Sequence, residues 1–254
     1  MAKPRKPKVS LADRRGVFPD DGCGNSWYMT LIRMPGRTGP VDLDELLDRL
    51  IERGVVGESR RDVGAEIHAG KVPTPAGNWA LLVALPGQSW AYLLPDRTSY
   101  DLPAEIARKA GLCVIGAGYQ DTANATAFEC FEGDETLVKF ESCGMGDDAE
   151  IVEEYEGDLE SAMEQTRFTG TRLPKEWIKK FNYEGDVQDA LAREFDAFIP
   201  CMGAGGFHDI VTIHGFDRKE FKPKDYVRID LIGFGTTRLE PAAPDLQLRD
   251  AILA

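Results

Sequence analysis

Apolar residues change their spacing along this chain, and each change marks an element. The run Ser26-Trp-Tyr-Met-Thr-Leu-Ile-Arg33 is rich in aromatic and β-branched side chains and predicts a strand. Leu43, Leu46, Leu47, Leu50 and Ile51 then fall at helical spacing and predict one buried stripe. Asp42 is placed to cap that helix, with Glu45 three residues on as in a capping box, and Gly54 stops it. A short strand is expected around Val63 to His68. Two apolar runs, Trp79 to Leu85 and Ser89 to Leu94, flank Pro86-Gly87-Gln88 and read as a hairpin. Asp101 is placed to cap a second helix, Leu102 to Ala110, closed by Gly111. Leu112 to Ile115 reads as a buried strand. Thr126 to Phe131 and Thr136 to Glu141 read as a hairpin around a four-residue loop, Glu132 to Glu135.

The resulting order, β-α-β-β-α-β and then a hairpin, is that of a ferredoxin-like split arrangement. Ser26-Trp27 and Ser89-Trp90 open two of its strands, and Asp42-Leu43 and Asp101-Leu102 open its helices, a faint internal repeat. The fold class expected is therefore α+β: a tail over 1–24, a ferredoxin-like unit with an added hairpin over 25–145, and an acidic α+β extension or second small domain over 146–254. In the last, Pro174 to Phe181 predicts a short helix. Val187 to Phe198 predicts a longer one, with a stripe of Val187, Ala190, Leu191, Phe195 and Phe198 and a favourable Asp189 to Arg193 pair. Pro200 ends it, Gly203 to Gly206 form a loop, and Ile210 to Ile213 and Tyr226 to Phe234 read as strands. If the two units share a sheet they form one domain.

Charge narrows the function. Forty-three acidic residues against thirty basic ones give a formal net charge of −13 over 254 residues. Residues 147–254 carry −10 of it. Eight carboxylates lie between residues 147 and 160: Asp147, Asp148, Glu150, Glu153, Glu154, Glu156, Asp158 and Glu160. A nucleic-acid partner is disfavoured, because phosphates need a basic surface. No apolar stretch is long enough for a membrane-spanning helix, and no apolar segment follows the basic residues 1–8, so a cytoplasmic protein is expected. The five cysteines, Cys23, Cys113, Cys130, Cys143 and Cys201, include no C-x-x-C pair. They read as free core thiols, with no metal and no cofactor expected.

Three local patterns suggest catalysis, and each lacks a part. Gly116-Ala-Gly118-Tyr-Gln-Asp121 begins a dinucleotide fingerprint but has Asp121 at the third glycine, and reads instead as a strand end and tight turn. Gly87-Gln-Ser89-Trp-Ala91 resembles a nucleophile elbow but lacks the following helix. His208 and His214 would sit about 20 Å apart on one regular strand, too far to share a metal. His208 and Asp209, just after the Gly203 to Gly206 loop, form the most site-like cluster and are the weak catalytic candidates.

Ser89-Trp90, the helix at 102–110, Tyr119-Gln-Asp121-Thr122 and Phe128-Glu-Cys-Phe131-Glu-Gly133 together resemble a loose group of uncharacterised bacterial α+β proteins, over residues 79–141. That resemblance implies a bacterial cytosolic protein and carries no activity to any residue. The leading expectation is a non-enzymatic protein-binding module, an immunity- or antitoxin-like inhibitor of a basic partner, binding through the eight carboxylates. The alternatives are a hydrolase-type enzyme with its site at His208, Asp209 and the glycine loop, and an accessory subunit of a larger bacterial assembly.

Overall fold

A computed structural model describes residues 13, 15–18, 27–95, 102–120, 125–143, 166–169, 184–200, 228–240 and 247–248. Its helices are α1 (Leu43–Glu52), α2 (Gly64–His68), α3 (Leu102–Ala110) and α4 (Glu184–Glu194). Its strands are β1 (Gly16–Phe18), β2 (Trp27–Arg33), β3 (Val56–Arg60), β4 (Trp79–Ala84), β5 (Ala91–Pro95), β6 (Cys113–Gln120), β7 (Ala125–Glu132), β8 (Glu135–Cys143), β9 (Thr166–Thr169), β10 (Phe198–Pro200) and β11 (Ile229–Phe234). Among the described residues nine strands form one sheet in the order β3-β11-β4-β5-β2-β6-β7-β8-β9. Every neighbouring pair in it is antiparallel. The protein is thus α+β, built on a wide antiparallel sheet.

The sheet is buried on both faces over its centre. Alternation sends Leu82, Leu93, Ile32 and Val114 to one face, where they meet Leu43, Leu46, Leu47 and Leu50 of α1 and Ile106, Ala107 and Ala110 of α3. Leu81, Val83, Tyr92, Leu31 and Ile115 go to the other face, with Val187 and Leu191 of α4, Phe198 and Ile199 of β10 and Ile67 of α2. Double burial explains why β4 and β5 are continuous apolar runs rather than alternating ones. Each large side chain so buried contributes roughly 1.5–3 kcal/mol.

Elements from the chain's second half complete both layers. β11 lies between β3 and β4, aligning Leu231 with both Arg60 and Leu81. β10 pairs in parallel with β1, and Gly16 N–H donates to Ala197 O at 2.8 Å. Three polar side chains tie this layer to the sheet. Trp90 Nε1 donates to Phe195 O at 3.0 Å, Tyr92 Oη to Phe198 O at 2.8 Å, and Gln188 Nε2 to Ala127 O at 2.9 Å.

Several elements differ from expectation, each for a local reason. The Asp42 carboxylate caps α1 by accepting from Asp44 N and Glu45 N, but Glu45 turns outward to pair with Arg37 at 2.8 Å. Ile51 is 40% exposed rather than part of the buried stripe. The short helix α2 (Gly64–His68), capped by Val63, stands where a strand is expected, and β3 precedes it. Gly116 and Gly118 lie inside β6, not in a turn, and strand β7 follows, so neither a tight turn nor a dinucleotide-binding loop forms there. The β7–β8 turn is the two residues Gly133 and Asp134 rather than four. The second long helix ends at Glu194, because Asp196 takes a φ of 54°, and Phe198 and Pro200 belong to β10. The expected helix at 174–181 and strand at 210–213 lie outside the described residues.

Candidate functional site

The eight carboxylates Asp147 to Glu160, and His208, Asp209 and the Gly203 to Gly206 loop, all lie outside the described residues. Ser89 of the elbow-like motif is buried two residues before β5. Its hydroxyl hydrogen-bonds the Asp196 carboxylate at 3.1 Å, which ties the β4–β5 hairpin to the α4–β10 turn.

The described surface carries its own polar site, on the face covered by α1 and α3. Those helices pack over β4, β5, β2 and the near end of β6, and Phe131 of β7 marks their margin. Beyond it the face continues as a half-buried strip. Strand β7 alternates strictly there: Thr126, Phe128 and Cys130 are buried, while Ala125, Ala127, Glu129 and Phe131 are half-buried. Strand β8 repeats the pattern, with Val138 and Phe140 buried and Lys139 and Glu141 half-buried.

Three strands bring titratable groups together on this strip. Tyr28 Oη of β2 donates to Glu129 Oε1 of β7 at 3.3 Å. Lys139 Nζ of β8 lies 3.9 Å from Glu129 Oε2 and 2.7 Å from Glu141 Oε1. Beneath them Gly116 leaves the space into which Tyr28 and Glu129 reach. A β-carbon there would stand 2.5 Å from Tyr28 Oη and 2.9 Å from Glu129 Oε1. At the hairpin end the ribbon carries three more carboxylates, Glu132, Asp134 and Glu135, of which Glu132, opposite Cys113 and Glu135, lies on the other face of the sheet. The charged side chains run from 14% exposed at Glu129 to 46% at Glu141 across a sheet face, an arrangement that suits a macromolecular surface.

A second cluster closes the Arg33 end of the sheet. The Arg33 guanidinium stacks on Trp90, 4.2 Å from the ring centroid. Cys113, paired with Arg33 across β2 and β6, donates its thiol to Glu132 Oε2 at 3.6 Å. The Cys130 thiol hydrogen-bonds Cys113 and holds its pKa below the usual cysteine range, with the Arg33 charge acting the same way against burial and Glu132. Among the described residues no group of three His, Cys, Asp or Glu side chains is placed to hold a metal ion. A shallow open depression of about 450 Å³ lies at the other end of the sheet, lined by Gly57, Glu58, Thr236, Thr237, Arg238 and Glu240.

Comparison with family models, curated proteins and solved structures finds no match to this chain. The site therefore rests on its own residues. Sequence reasoning placed the β7–β8 hairpin but not the roles of Tyr28, Glu129 and Lys139. The period-two alternation of Phe128-Glu129-Cys130 and Lys139-Phe140-Glu141 is the signal that marks them.

Proposed function

We propose that this chain is a non-enzymatic protein-binding module whose β7–β8 ribbon takes a basic protein partner, in the manner of an immunity- or antitoxin-type inhibitor. The ribbon's charge carries the reading. Residues 125–143 hold five carboxylates, Glu129, Glu132, Asp134, Glu135 and Glu141, against one lysine, Lys139. An ordered acidic ribbon steers a cationic partner and fixes its orientation. The eight carboxylates from Asp147 to Glu160 follow in sequence and extend the same charge. On this reading the protein works in the cytoplasm, in keeping with the free thiols of Cys113 and Cys130.

The same proposal reads β2, α1, β4, β5, α3 and β6 as a ferredoxin-like unit extended by the hairpin and by the C-terminal elements. Its support is the strand order β4-β5-β2-β6 with α1 and α3 packed on one face.

The test is a salt-resolved titration with a basic partner captured from the source cells and then purified. Neutralising Glu132, Asp134 and Glu135 together to Gln, Asn and Gln removes three contacts of roughly 0.5 kcal/mol each, so Kd weakens about tenfold. Neutralising Glu52, Glu58 and Glu66, on α1, β3 and α2 away from the ribbon, leaves Kd unchanged. Equal affinity for both triple variants, or a Kd indifferent to salt, rejects the reading.

A further inference from the structure

We propose that the depression at the β3 edge of the sheet binds a small zwitterion of the amino-acid class, a ligand with one carboxylate and one ammonium group. Its volume of about 450 Å³ falls within the range of small-ligand pockets, about 300–1,000 Å³. It lies far from the β7–β8 ribbon in the strand order, so it stands independently of the partner reading.

The backbone builds the cradle. Val56 is opposite Phe234 and Glu58 is opposite Gly233, so Gly57 is an extra residue with nothing facing it on β11. Such a bulge bends an edge strand and re-aims what lies beside it. The chain then turns over the bulge. Gly235 takes a φ of 58°, its N–H donates to Val55 O at 2.8 Å, and Thr237 N–H donates to Phe234 O at 3.0 Å. A β-carbon on Gly57 would stand 2.0 Å from Gly235 O, so the turn sits directly against the bulge. The outgoing segment is held at two points. Glu58 Oε2 accepts from Leu239 N–H at 2.8 Å, and Glu240 O accepts from Ala76 N–H at 2.7 Å. Thr236, Arg238 and Glu240 are therefore presented, exposed, on a backbone already fixed before any ligand arrives.

The charges select the ligand. Among the described residues the side chains of Thr236, Arg238 and Glu240 have no hydrogen-bond or ion-pair partner. A guanidinium and a carboxylate two residues apart thus share one depression without engaging each other. An anion alone would meet Arg238 but also the Glu58 and Glu240 carboxylates. A cation alone would meet the carboxylates but also Arg238. A zwitterion gives its carboxylate to Arg238 and its ammonium group to Glu240, with the Thr236 hydroxyl free to donate or accept. The lining holds no aromatic and no large aliphatic side chain, which disfavours an apolar ligand.

The full chain, labelled for amide nuclear magnetic resonance, is titrated at constant ionic strength with L-alanine and with L-alanyl-L-alanine, a longer zwitterion. Acetate and methylammonium serve as the two half-ligands. The expected result is a saturable shift of the Gly57, Glu58 and Thr236 to Glu240 amides with a zwitterion, at a Kd on the order of 1 mM, and binding of either half at least about fivefold weaker. The tighter zwitterion identifies the ligand as a free amino acid or a short peptide. Arg238→Gln and Glu240→Gln, both at exposed positions, each weaken the zwitterion about fivefold and leave the amides outside the depression unmoved. The wild-type titration needs no substitution, so it stands even where a variant misfolds. No saturable shift, shifts centred elsewhere on the chain, equal binding of a half-ligand, or unchanged affinity in both variants overturns the proposal.

Discussion

Removing the Asp230 carboxylate tests how the second half of the chain completes the sheet. Asp230 lies in β11, between β3 and β4, and is 0% exposed. Arg228 grips it with Nε and Nη2, each at 3.0 Å, and Asp62 N–H donates to it at 2.8 Å. Arg228 also reaches Asp44 in the first turn of α1 with two bonds, at 2.7 and 2.8 Å. One buried carboxylate thus joins β11, the β3–α2 turn and α1. Asp62 holds a φ of 53°, a conformation that a non-glycine residue keeps only when its surroundings demand it. Asp230→Ala leaves the Asp62 N–H and part of Arg228 unpaired. Breaking a buried pair costs about 3–5 kcal/mol. The Arg228 side chain is 27% exposed and regains some water, so about 2–3 kcal/mol is expected. At about 2–4 °C per kcal/mol for a chain of this size, Tm falls by about 4–12 °C. Urea denaturation and thermal circular dichroism measure both values. Asp230→Asn is expected to lose less, because it keeps one acceptor. The Asp230→Ala/Arg228→Ala pair should lose less than the sum of the single variants. A loss below about 0.5 kcal/mol, or strict additivity, refutes the reasoning.

Other substitutions probe the remaining layers. Tyr92→Phe removes the hydroxyl that satisfies Phe198 O in the buried β5–β10 contact, and should lower stability by about 1–2 kcal/mol in the same urea assay. Burial raises the Tyr92 pKa above the ordinary phenol value, so its stabilising effect is whole below about pH 10 and declines as pH rises further; absorbance near 295 nm should show this phenol ionising only with unfolding. Gly57→Ala places a β-carbon 2.0 Å from the Gly235 backbone oxygen, so β3 must shift against β11, with an expected loss of about 1–3 kcal/mol in denaturant midpoint analysis. The Asp44 carboxyl is held below the usual aspartate range, first by its hydrogen bond from Arg228 and then by the charges of Arg228 and Arg61, against desolvation. That contribution is present above about pH 4 and is lost as pH falls through the depressed pKa, so Asp44→Asn should flatten the acid limb of a stability-against-pH curve.

Much of the architecture was legible where local pattern and tertiary burial agree. Helix α1 shows its leucine stripe and its Asp42 cap, and the β4–β5 hairpin shows two apolar runs around Pro86 and Gly87. Ile51 keeps helical spacing but lies at the edge of the stripe, where the sheet no longer covers it. The end of α4 was obscured because Phe195 and Phe198 continue the apolar rhythm across a left-handed Asp196. The insertion of β11 between β3 and β4 left no local signal, since it depends on partners far away in sequence. For the site, the acidic character of the 125–143 hairpin was readable. The meeting of Tyr28, Glu129 and Lys139 over Gly116 needed the register of three strands.

The partner-binding claim is tested most directly by carboxylate footprinting of the free and bound chain. Carbodiimide-driven labelling, read by mass spectrometry, reports each accessible Asp and Glu. The account predicts that labelling of Glu132, Asp134, Glu135 and Glu141 falls several-fold on adding the basic partner, while Glu52 and Glu66 keep their free-state labelling. Unchanged labelling along the hairpin with protection elsewhere contradicts it.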